Sequence, residues 1–113
     1  MTKIYIKEIR NGGKKKGLKI EVNGVTKDNK IVLSGKSIFR FMDTKGLPLD
    51  FILMNICKES FIIDWFEFIE TSLSNNWRIS GTLTKLEESF LDYYDKDFSS
   101  EILLRLRKRF LYS

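Results

Sequence analysis

Eight residues, Asp43-Thr44-Lys45-Gly46-Leu47-Pro48-Leu49-Asp50, limit the folds open to this chain more than any other segment. Ile38, Phe39, Phe41 and Met42 precede them at helical spacing. Gly46 ends a helix at little cost, because glycine enters the left-handed region without a Cβ clash. Pro48 cannot continue the old helix but suits the first turn of a new one. Asp50 then falls in that first turn, where a carboxylate faces the positive end of the helix dipole. The octapeptide therefore predicts a tight helix-to-helix corner, with Asp43, Thr44, Gly46, Pro48 and Asp50 as its structural residues.

Upstream of the corner the pattern is that of strands. Lys3 to Ile9 alternates and predicts a first strand. Asn11 to Gly17 reads as a flexible loop rich in turn residues. Leu18 to Val22 alternates again, Asn23-Gly24 is a turn signal, and Ile31 to Leu33 forms a short third strand. Downstream the period becomes helical. Ser34 caps a helix through Asp43. Pro48 to Ser60 carries Leu49, Ile52, Leu53 and Ile56 on one stripe. Asp64 caps a helix running to about Asn76, with Trp65, Ile69 and Leu73 on one face. Ser80 or Thr82 caps the next, aligning Leu83, Leu86, Phe90 and Tyr94. Asp97 to Ser100 breaks it, and Ser99 caps a last helix to Leu111. The expected fold is α+β, a single domain over residues 1–113. A three-stranded antiparallel meander (1–33) precedes about five short helices (34–113).

The corner resembles one found in alanyl-tRNA synthetases. There a Phe/Leu-x-x-Asp-Thr-Tyr-Gly-Phe-Pro-Leu-Asp segment follows the catalytic domain and opens the helical region that handles tRNA. Phe41, Asp43, Thr44, Gly46, Pro48, Leu49 and Asp50 match it, while Lys45 and Leu47 replace its two aromatic residues. Ile63 to Ile69 is similar to the next helix of that region, so the resemblance spans about residues 34–77. Small stand-alone phage proteins carry the same corner. The resemblance implies a helical RNA-handling ancestry without a synthetase active site, since the chain has no room for the catalytic domain.

The chain contains no histidine and a single cysteine, Cys57. The commonest general base and metal ligand is therefore absent, and neither a cysteine–histidine nucleophile nor a zinc site is available. No cofactor and no enzymatic activity are expected. No apolar run approaches the roughly 18 residues of a membrane helix. The first residues read as a strand rather than a signal peptide, and cysteine usage points to the cytoplasm. Cys57 itself, beside Ile56, reads as a small hydrophobe. Trp65, Phe66, Phe68 and Trp77 read as core rather than as a ligand platform.

Charge is distributed unevenly. Residues 1–40 hold 11 lysines and arginines against 3 acids (+8), residues 41–100 hold 5 against 11 (−6), and residues 101–113 hold 4 against 1 (+3). Such a distribution fits an electrostatically addressed partner. Arg10, Lys14, Lys15, Lys16 and Lys19 form a basic finger suited to phosphate contact. On the last helix Arg105, Lys108, Arg109 and Tyr112 share one face, opposite Leu103, Leu106 and Phe110. Glu87, Glu88, Asp92, Asp95 and Asp97 read as a solvated acidic face. Ser34-Gly35-Lys36-Ser37 looks like the end of a phosphate-binding loop. Lys30 stands where the full motif needs glycine, so a capped helix start is the better account. Two functions stay open. One is a small non-catalytic nucleic-acid binder, RNA favoured, using the basic finger and last helix. The other is a phage-encoded protein–protein inhibitor of a host nucleic-acid machine or defence nuclease, in the manner of an anti-CRISPR.

Overall fold

Strands of two senses organise the α+β architecture. The computed structural model describes residues 3–11, 14–56 and 61–111, with side chains from Ile20 onward except that of Asn55. The elements in order are β1 (Lys3–Asn11), β2 (Lys14–Val25), β3 (Ile31–Leu33), α1 (Gly35–Lys45), α2 (Leu49–Ile56), β4 (Phe61–Ile63), α3 (Trp65–Ser74), α4 (Ile79–Tyr93) and α5 (Lys96–Phe110). The sheet order is β1-β2-β3-β4. The first two pairings are antiparallel, as alternation predicts, whereas β4 lies parallel to β3 with Leu33 opposite Ile63. The expected meander is thus joined by a fourth strand, reached through α1 and α2. Phe61-Ile62-Ile63 is too short and too uniformly apolar to show alternation, as buried parallel strands often are.

Two turn assignments also change. Asn11 to Gly17 is not one loop, since Lys14, Lys15, Lys16 and Gly17 belong to β2. Asn23-Gly24 does not turn the chain; β2 runs on to Val25, and its register against β3 shifts between Val22 and Gly24. The reversal comes later, where Thr26 N donates to Lys30 O (2.8 Å) and Asn29 takes a positive φ of 62°.

The corner forms as its residues dictate. Gly46 sits at φ 65°, ψ 23°, and the amides of Gly46 and Leu47 both donate to Phe41 O. Pro48 O accepts the first amides of α2, from Phe51 and Ile52, so Pro48 precedes α2 rather than occupying its first turn. Leu47 and Leu49 are buried on either side and pin the corner to the core. Asp50 lies in the first turn of α2 and accepts a hydrogen bond from Ser89 Oγ of α4 (2.8 Å).

The α2 stripe of Leu49, Ile52, Leu53 and Ile56 is wholly buried, with Leu33, Ile38, Phe39, Trp65, Phe68, Leu86, Phe90 and Leu106. Each such side chain contributes about 1.5–3 kcal/mol relative to exposure. Phe39 meets Phe68 and Trp77 edge-on, at 5.7 and 5.0 Å between ring centroids, and locks α1 to α3. Trp65 is buried against Phe90, while Phe66 and Trp77 are half-buried at the margin. α2 ends at Ile56; Cys57 and the rest of its expected length lie outside the described residues. α4 starts at Ile79 with no side-chain cap, and Ser80 and Thr82 fall inside it. α5 starts at Lys96, three residues before the expected cap Ser99. Asp95 supplies that cap to Phe98 N, and Ser99 is instead a buried helical residue donating to Phe90 O.

Candidate functional site

Parallel pairing of β3 and β4 sets the starts of two helices side by side. Ser34 follows β3 and caps α1 by accepting from Ser37 N (3.2 Å). Asp64 follows β4 and caps α3 by accepting from Glu67 N (3.1 Å). In a full capping box the acid at the third helical position would return to the cap's own amide. Here Asp64 N already donates to Leu33 O of the sheet (2.9 Å), which leaves the Glu67 carboxylate available to α1. Glu67 accepts from Ser34 Oγ, from Lys36 N (3.0 Å) and from Asn23 Nδ2 (3.1 Å). Asn23 also donates to Asp64 Oδ2 (3.1 Å), tying the end of β2 to both helix starts. Burial would raise the Glu67 pKa. Hydrogen bonds from Ser34, Lys36 N and Asn23, with the Lys36 charge, outweigh it and hold the carboxyl below its ordinary range.

This junction accounts for Ser34-Gly35-Lys36-Ser37. A helix N-terminus attracts an anion through its free amides and dipole, and the protein's own Glu67 takes that position. Asp64 was legible as a helix cap, but the reach of Glu67 to α1 was not, because it depends on the parallel pairing of β4 with β3. Beyond the junction, α1 and α3 border a groove of about 470 Å³ lined by Lys36, Arg40, Asp43, Thr44, Glu67 and Glu70, among others. Asp43 and Thr44 of the corner are therefore exposed groove residues.

The basic finger is a paired ladder. Arg10 lies opposite Lys15, Ile9 opposite Lys16 and Asn11 opposite Lys14, so four cationic residues occupy three successive ladder positions. Lys19 lies further along β2, opposite Tyr5. Arg105, Lys108 and Arg109 stand exposed on α5, with Leu103 and Leu106 buried on the side that packs on α4. Arg105 forms an ion pair with Glu101 one turn earlier (2.7 Å). Tyr112 lies outside the described residues. The two basic groups belong to different layers: β1 packs on β2 and α2, and α5 packs on α4.

The acidic residues of α4 and the α4–α5 connection are spread over several roles. Glu87 pairs with Arg107 of α5 (2.9 Å) and Asp95 caps α5. Glu88 and Asp92 border a groove with Asp50, Lys85 and Ser89. Among the described residues, no group of three or more cysteine, aspartate or glutamate side chains is placed to hold a metal ion. No helix among them is long and apolar enough to cross a membrane. Compared with known proteins, the chain matches no family model, and no curated protein or solved structure is significantly similar to it.

Proposed function

We propose that this chain is a small non-catalytic binding protein whose β1–β2 hairpin contacts the phosphate backbone of nucleic acid, RNA in preference to DNA. One observation carries the reading: the ladder register gathers Arg10, Lys14, Lys15 and Lys16 onto three adjoining positions, with Arg10 and Lys15 directly opposite. Like charges facing each other across a ladder destabilise it. A polyanion bound there relieves that repulsion and releases its own counterions. The preference for RNA rests on the resemblance of the Asp43–Asp50 corner to a tRNA-handling region. The exposed cations of α5, Arg105 and Lys108, extend the basic surface elsewhere on the molecule.

Fluorescence anisotropy with a generic RNA and a DNA duplex over a salt series tests the reading. Affinity should fall steeply with salt. The Lys14→Glu/Lys15→Glu/Lys16→Glu variant should bind far more weakly, its salt slope shallower by about 2. Absence of binding to either nucleic acid at low salt would overturn this function and return attention to a protein partner within a host nucleic-acid machine.

A further inference from the structure

We propose that the α4–α5 face is the docking site of a second copy of this chain, α5 lying antiparallel to its counterpart around Leu104. Leu91 of α4 is 72% exposed, and Leu104 of α5 and Leu111 at its C-cap are 50% and 43% exposed. Leu104 and Leu111 lie two turns apart on one helical stripe. Leu91 and Leu104 border a groove of about 370 Å³ between the two helices, with Lys96, Glu87 and Arg107 also lining it. Large apolar side chains gathered in one groove with charges beside them mark an interaction surface.

Charge along α5 selects the occupant. Asp95 at the cap, Asp97 and Glu101 outweigh Lys96 in its N-terminal half, and Arg105, Arg107, Lys108 and Arg109 fill its C-terminal half. A helix with this polarity complements itself only in the antiparallel sense, in which the helix dipoles also oppose. Parallel docking would set like ends together. Pairing about Leu104 brings Glu101 opposite Arg107 of the second copy, since each lies three residues from Leu104 on opposite sides. Both are accessible: the Glu101 side chain is 64% exposed and that of Arg107 is 39% exposed. The intrachain bond from Arg107 to Glu87 holds the guanidinium at the groove (2.9 Å). Such a two-fold contact uses the same patch on both chains and closes at a dimer. Arg105 borders a separate groove with Phe98, Glu101 and Ile102. The inference is independent of nucleic-acid binding by the hairpin.

Sedimentation velocity over a concentration series tests it. The wild-type mass should rise from one chain towards two. Leu104→Arg should remain a single chain with an unchanged melt, because Leu104 is half exposed. Glu101→Arg and Arg107→Glu should each weaken self-association about tenfold or more by setting like charges opposite. An equimolar mixture of these two variants should associate again, since each then meets its opposite charge on the other chain. A wild-type mass of one chain throughout, or self-association unaffected by Leu104→Arg, overturns the proposal. A mixture that stays monomeric while each variant alone is monomeric overturns the antiparallel register.

Discussion

The two ends of β2 treat charge in opposite ways. At its C-terminal end, Asn23 joins Asp64 and Glu67 in a junction where the Glu67 carboxylate accepts three hydrogen bonds. At its N-terminal end, the ladder sets Lys15 opposite Arg10, with Lys14 and Lys16 in the adjoining positions. The first arrangement spends an ionised group on holding two helices to a sheet. The second sets like charges opposite one another, which costs a ladder stability, and under the proposed function it is there that a ligand of opposite charge is received. A charged residue therefore announces structure or binding by what its register or packing sets against it, and residue type alone does not distinguish the two.

The largest test of this contrast is Gly35→Ala. A Cβ there would run into Asp64 O and the Phe68 amide and lie 2.9 Å from Phe68 Cα. These are backbone atoms of the adjoining helix start, which cannot step aside. The substitution should destabilise by about 3 kcal/mol or more, and an unchanged thermal melt would show that the helix starts are not in contact. Glu67→Ala comes next, at about 2 kcal/mol, because three donors lose a charged acceptor. The sign with pH follows from its lowered pKa. Stability from ionised Glu67 is complete above the ordinary carboxylate range and is lost as pH falls through the lower folded value. Urea melts from neutral to acid pH should show this loss in the wild type and a smaller one in Glu67→Gln; identical pH profiles would remove Glu67 from the account.

The smallest effect has the opposite sign. Lys15→Glu turns a like-charged ladder pair into an opposite-charged one and should stabilise by about 0.5 kcal/mol. The same substitution should weaken binding to RNA. Stability and binding would then move in opposite directions at the hairpin, whereas loss of Glu67 would cost stability alone. If Lys15→Glu destabilises the chain, Lys15 is structural and the contrast between the two ends of β2 fails.

Local chemistry was legible wherever one residue type admits few backbone states. Gly46 could be placed at positive φ, and Ser34 and Asp64 at helix starts, because glycine and short polar caps each answer one local need. The Leu49-Ile52-Leu53-Ile56 stripe was readable from its period and is buried in full. Asn23-Gly24 misled, because a dipeptide that favours a two-residue turn is equally at home where a strand's register shifts. Ser99 misled in a similar way. Asp95, four residues earlier, caps α5, and a buried serine donating to Phe90 O looks the same in sequence as a cap.

By itself, then, the sequence determined the α+β class, the corner, the α2 stripe and the segregation of positive charge to both ends. Each of these follows from neighbours within a few positions along the chain. On α3 it placed Leu73 with Trp65 and Ile69, whereas Leu73 is exposed and Phe68 and Ser72 are buried instead. Tertiary structure alone decided that Phe61-Ile62-Ile63 completes the sheet in parallel with Ile31-Val32-Leu33. It also decided that Glu67 turns from its own helix to cap α1, and that Arg10 stands opposite Lys15. The reason is one of range. A helix period or a cap is set within a turn of chain, whereas the partner of a strand or a carboxylate is set by which distant segment shares the buried surface, and that choice is made by the whole core at once.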